Sequence, residues 1–155
     1  MANTDLVNEK EQIGRDIIVN TFGANYQFIE SQNRFDSWDI SGQTHNIDRG
    51  DKNYFIEIKT RDFKSTKEET AFLEYKKFFN LKFIADAHDE ADMLYINTFT
   101  DGLLYVWNLR EIKLNDVYLT IKKAPKETCT DVIEWEDKLF IELPMTKGKK
   151  YKIKS

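Results

Sequence analysis

The chain has 155 residues, 41% of them hydrophobic and 14% aromatic, enough for one domain with a core of its own. Its 27 Asp and Glu outnumber 23 Lys and Arg, and the formal charge of -4 lacks the basic balance of a dedicated phosphate-neutralising surface. A single cysteine, Cys129, excludes an internal disulfide, and no apolar run is long enough to span a bilayer, so a protein of the reducing cytoplasm is expected.

The opening Met-Ala-Asn-Thr-Asp carries no basic region followed by an apolar stretch, which argues against secretion. Thr4 or Asp5 can cap a helix running to about Phe22, with Gly23 as its stop. Leu6, Ile13 and Ile17 fall on one face of it, Ile18 and Phe22 widen that face, and Glu9 and Glu11 flank it on opposite sides. Tyr26 to Ile29, Arg34 to Ile40 and Tyr54 to Thr60 then read as three strands of an antiparallel meander, with a polar connection from Ser41 to Asn53. Ser65 or Thr66 next reads as the cap of a second helix reaching about Ala87, with Phe72, Phe79 and Phe83 as its buried stripe. Met93 to Phe99 and Leu103 to Leu109 make a hairpin around Thr100-Asp101-Gly102. Val117 to Lys122 and Lys138 to Leu143 are further strands, and a basic tail closes the chain from about residue 146. The order predicts one α/β domain over residues 1–155, with the chemistry on its central sheet.

Chemistry is most concentrated in Phe35 to Arg61, where an acidic pair, Asp36 and Asp39, precedes a strand ending in Glu57, Ile58 and Lys59. Side chains alternate along a strand, so Glu57 and Lys59 project to the same side, roughly 7 Å apart, while Ile58 points away. An acid, any residue and a lysine recur five times, at Glu57-Lys59, Asp62-Lys64, Glu74-Lys76, Glu111-Lys113 and Glu136-Lys138, so spacing alone decides nothing. Context favours the first, which follows the apolar run Tyr54-Phe55-Ile56 and a second acid-bearing segment. Glu111-Ile-Lys113 is its competitor, following a good strand without an acid-bearing partner strand before it. With Asp36 or Asp39 brought beside Glu57, two carboxylates can hold a hard divalent cation while Lys59 supplies positive charge to a phosphate oxygen.

The order of elements over about Glu9 to Leu109, together with Asp36, Glu57 and Lys59, resembles the PD-(D/E)xK nuclease superfamily. That resemblance implies a restriction-endonuclease-like core, a central mixed sheet with an antiparallel three-strand meander flanked by helices. It further implies Asp36, Glu57 and the Ile58 carbonyl as magnesium ligands, with manganese as a substitute, and Lys59 as the group that orients water or steadies phosphate charge. A first-helix glutamate completes the set. Glu11, twelve residues before Gly23, has spacing similar to that of archaeal Holliday-junction resolvases and is preferred to Glu9. The proline that often precedes the first acid is Phe35 here, and Asp36 and Asp39 have opposite strand parity, so both face one site only across a bulge. Asp36, at the start of RFDSW, is taken as the first acid, with Asp39 as the alternate.

Arg61, Lys76 and Lys77 are candidate nucleic-acid contacts, against the plainer reading of solvated charges. His45 and His88 lack metal-ligand spacing, and Trp38, Trp107 and Trp135 read as packing residues. The expected activity is metal-dependent hydrolysis of a phosphodiester, in DNA before RNA; a homodimer is compatible with cutting two strands. A catalytically inactive module of the same fold, binding nucleic acid or a protein, is the alternative.

Overall fold

A computed structural model describes residues 3–23, 27–30, 39–44, 52–89, 91–126 and 134–154. Helix α1 (Asn3–Phe22) is followed by β1 (Gln27–Glu30), β2 (Ile40–Thr44), β3 (Lys52–Thr60), β4 (Thr70–Glu74), helix α2 (Tyr75–Asp86), β5 (Asp92–Thr98), β6 (Leu103–Asn108), β7 (Leu119–Pro125), β8 (Trp135–Pro144) and β9 (Lys149–Lys152). Among the described residues the main sheet has six strands in the order β1-β2-β3-β5-β6-β9, and β4-β8-β7 form a second sheet of three. Only β3 and β5 pair in parallel among the described residues, with Glu57 beside Tyr95 and Lys59 beside Asn97. Parallel neighbours require a crossover, and β4 with α2 supplies it.

Strand parity divides the core. Ile56, Ile96 and Leu104 face α1 and pack with Ile18. Phe55, Met93, Tyr95 and Trp107 face the other way, onto Phe78, Leu81 and Ala85 of α2 and onto Leu73, Ile141 and Leu143 of the second sheet. Glu57 and Lys59 share the parity of Phe55, so they emerge on the α2 side as the apolar layer ends.

Several elements differ from the sequence reading. The second strand lies at Ile40–Thr44, beyond the expected Arg34 to Ile40, whose first five residues are outside the described residues. The single long helix from Thr66 is instead β4 followed by α2. In β4 alternate residues are buried, Ala71 and Leu73, while α2 buries Phe78, Leu81 and Ala85 and leaves Phe79 and Phe83 42% and 79% exposed. Ser65 caps no helix; its N–H and hydroxyl both donate to Asp101 Oδ2, at 3.1 and 2.6 Å, tying the loop to the β5–β6 turn. Asn3 is already helical, ahead of the expected caps, and α1 buries Gly14, Ile18 and Thr21 while Leu6 and Ile13 stay exposed.

The basic tail folds too. Its residues Lys149 to Lys152 form β9 on β6, where lysines suit a sheet edge because they oppose further strand pairing. Gly148 lies flat against Trp107, whose Nε1–H donates to Pro144 O at 3.1 Å. Trp107 is a packing residue as expected, whereas Trp135 is 62% exposed near the end of the β7–β8 hairpin. Trp38, His45 and Cys129 lie outside the described residues. Among the described residues no helix is long and apolar enough to cross a membrane.

Candidate active site

The site is built where β2 leaves β3. Ile40 is in register with Ile56, and the Asp39 N–H also donates to Ile56 O at 2.9 Å, so two consecutive residues oppose one in the manner of a β-bulge. The Asp39 side chain continues the ladder beyond that point: its Oδ2 accepts the Ile58 N–H at 2.8 Å. A carboxylate therefore replaces a backbone acceptor, and its other oxygen lies 3.6 Å from an Arg15 guanidinium nitrogen. Asp39 and Glu57 come close enough to interact through their carboxyl groups. Asp36, the first choice from sequence, lies outside the described residues, and Asp39 is the acid found against Glu57.

Glu57 has a side chain only 12% exposed and bonds through Oε1 to the Lys77 ammonium, from the first turn of α2. Burial pushes its pKa up to about 7, with Asp39 adding to the rise and Lys77 opposing it. Withdrawal from water disfavours the ionised form, and a second carboxylate repels it further. Lys77 responds in the opposite sense, its proton held more firmly by Glu57.

Lys59 points to the same side as Glu57 and keeps part of its surface in water. Its pKa is lowered by desolvation first, then by the Lys77 and Arg61 charges, while Glu57 and Glu11 work against the shift. Glu11 reaches the group from α1, where its pKa is raised by burial and by Asp39. The approach of α1 depends on Gly14: an added Cβ would stand 2.6 Å from Thr60 Oγ1 and 3.0 Å from Ile58 Cγ2. Glu9 points about 200° around the helix from Glu11, although both side chains reach solvent.

The other predicted residues divide clearly. Arg61 is turned inward, donating to Asn97 Oδ1 at 2.8 Å and more weakly to Tyr95 OH and Phe72 O, at 3.4 and 3.5 Å. Tyr95 OH donates in turn to Phe72 O at 2.9 Å. Lys76 is exposed and Lys77, next to it on the helix, is the one on Glu57. The Ile58 N–H faces the β2 edge, and on a strand the carbonyl of the same residue faces the same edge. Sequence reasoning did not name Arg15 or Tyr95. Arg15 lies four residues after Glu11, the spacing at which helical side chains meet, and that was a usable signal.

The competing triplet falls elsewhere. Glu111 acts on Lys52, at the opposite end of β3 from Glu57. Of the histidines, His88 donates from Nδ1 to Ile84 O at 2.9 Å and packs against Phe55, a structural role. A groove of about 560 Å³ bordered by Phe78, Met93, Leu109, Ile112 and Leu114 contains none of the acidic group.

The architecture is similar to that of Hjc, a Holliday junction resolvase from the archaeal hyperthermophile Archaeoglobus fulgidus, with a TM-score of 0.54 over 91% of this chain and 90% of that one. The chain has a restriction-endonuclease-like fold. Identity across the match is 14%, so the likeness is one of fold. No protein-family model matches the sequence, and no curated protein matches it.

Among the described residues no three Asp, Glu, His or Cys side chains gather tightly enough for an all-protein metal cage. Magnesium does not need one, since it commonly takes one or two carboxylates and completes its shell with water and phosphate oxygens. Asp39 and Glu57 provide that pair, hard oxygen donors close enough to raise the Glu57 pKa, and their mutual repulsion is the kind that a dication relieves. Those residues fit the ion that the sequence resemblance implies.

Proposed function

We propose that this protein is a metal-dependent nuclease that hydrolyses phosphodiester bonds in DNA. The observation carrying the proposal is the convergence of Asp39, Glu57 and Lys59 at the end of β3, with Glu11 beside them, on a restriction-endonuclease-like core. The resemblance of Hjc in fold supports DNA as the substrate class.

In this reading Asp39 and Glu57 hold magnesium, the Ile58 carbonyl adds an oxygen on the same edge, and manganese can substitute. A bound divalent ion supplies charge neutralisation at the phosphate and a lower pKa for water. Lys59 has two uses that suit its place. As an ammonium it steadies negative charge developing on the phosphate, and desolvation together with the Lys77 and Arg61 charges loosens its proton, the direction that suits a group set to act on the attacking water. Glu11 supports the orientation of Lys59 and of water. Arg61, anchored by Asn97 and Tyr95, contributes a fixed positive field instead of a mobile contact.

The test is cleavage of plasmid, linear and branched DNA with magnesium or manganese, beside the same substrates in RNA. Activity that depends on the ion and disappears in Glu57→Ala and Lys59→Ala supports the reading. Absence of cleavage on every substrate, with no affinity for manganese, would assign the chain to the non-catalytic binding class.

A further inference from the structure

Lys77 occupies a place where a cation is least expected. It stands in the first turn of α2, a turn without an acidic residue or a side-chain cap, where the helix dipole disfavours positive charge. Such a breach of local preference is characteristic of positions kept for a site. Its ammonium is engaged on Glu57 Oε1, a buried carboxylate of the acidic group. The two partners are unequally covered: Glu57 is 12% exposed and Lys77 is 54% exposed. A lysine stem that lies mostly in water can swing away without opening the core, whereas Glu57 cannot.

We propose that Lys77 is a place-holder for the dication: its ammonium neutralises Glu57 in the metal-free protein, yields that carboxylate when a divalent ion arrives, and once released meets the phosphate backbone. This rests on the nuclease reading and adds a switch to it. The ammonium and the ion compete for one carboxylate, so metal loading and exposure of a phosphate-binding charge are the same event. Lys77 is thus a positioning residue in the free protein and a substrate contact in the loaded one.

Manganese binding, followed by electron paramagnetic resonance at pH 8.5 and fixed ionic strength, tests the competition. Lys77→Met should bind manganese tighter by about fivefold or more, since it removes a competing charge pair. Lys77→Arg, which keeps the charge and grips a carboxylate with two donors, should bind it more weakly than wild type. Lys76→Met controls for general charge and should bind as wild type does. Equal affinity in wild type and Lys77→Met, or an equal gain in Lys76→Met, overturns the place-holder. A wild type that takes no manganese at all overturns the nuclease reading itself.

The second arm reads the release. With calcium present, the salt dependence of binding to a short DNA duplex should be shallower in Lys77→Met than in wild type by about one unit of log-log slope. Without any divalent ion the two slopes should agree, because the wild-type ammonium is still on Glu57. A difference of the same size under both conditions refutes the switch.

Discussion

Glu57→Gln should make the metal-free protein more stable at pH 8 than at pH 5, relative to wild type. Glu57 is buried and its pKa rises from an ordinary 4.5 to about 7 in the folded state. The sign follows from proton binding: the folded protein holds this proton more tightly than the unfolded chain does. Its contribution is therefore fully present below about pH 4.5 and is lost as pH rises through 7. At 1.36 kcal/mol per unit, the loss amounts to about 3 kcal/mol, or roughly 6–12 °C in melting temperature for a domain of this size. Glutamine has nearly the same shape and does not ionise, so the variant escapes the penalty. In wild type Lys77 stays protonated across this range, its proton held by Glu57. Urea unfolding of both proteins at half-unit steps from pH 4.5 to 8.5, in chelator, measures the difference directly, and every other titrating group common to both tends to cancel. A difference that stays flat over that range would refute the claim that Glu57 is held ionised at a cost. Saturating manganese should stabilise wild type at pH 8 and leave the variant nearly unaffected.

Gly14→Val should cost about 1–3 kcal/mol in urea unfolding, since its Cβ would meet Thr60 Oγ1 at 2.6 Å and Ile58 Cγ2 at 3.0 Å. It should also slow cleavage, because Glu11 lies one turn away on the helix that is pushed off β3. Lys59→Ala should leave manganese affinity within about twofold of wild type while lowering the cleavage rate about a hundredfold or more, as expected for a group acting on developing charge; equal loss of both would make Lys59 a structural residue. Phe83→Ser should change stability by no more than about 0.5 kcal/mol, since the ring is 79% exposed, whereas a larger loss would place it in a buried stripe.

The legible part of the site was the part governed by a single strand. Tyr54-Phe55-Ile56 ahead of Glu57-Ile58-Lys59 fixes parity without reference to anything distant, and both charged side chains emerge where that parity puts them. The partner acid depended on where β2 stops pairing, and neither composition nor alternation encodes the bulge at Asp39. The sequence reading erred in the same way at α2. Phe72, Phe79 and Phe83 have helical spacing, but Thr70 to Glu74 also alternates, and pairing with β8 decided in favour of a strand. Periodicity is ambiguous over such short runs, and tertiary contact resolves it. The lysines after Gly148 looked like a tail because no apolar run marks them as a strand. Their pairing with β6 rests on backbone bonds and on Tyr151, which packs on Phe22 of α1.

A chain of net charge -4 is at first sight poorly suited to approach a polyanion. The site has a different balance from the whole. Arg15, Lys59, Arg61 and Lys77 stand against Glu11, Asp39 and Glu57, four positive groups to three acids. Three of the four positive groups are engaged: Arg15 by Asp39, Arg61 by Asn97, and Lys77 by Glu57. A dication on the two strand carboxylates would therefore turn a nearly balanced cluster into a strongly positive one, and nowhere else would the surface have to change. The field that a phosphate meets is set over about a Debye length, some 8 Å in physiological salt, and not by the sum over the chain. Overall acidity and a phosphate-binding centre are thus compatible, and the acidity itself gives a useful consequence: attraction for DNA should depend on the bound ion more steeply than in a protein that is basic throughout.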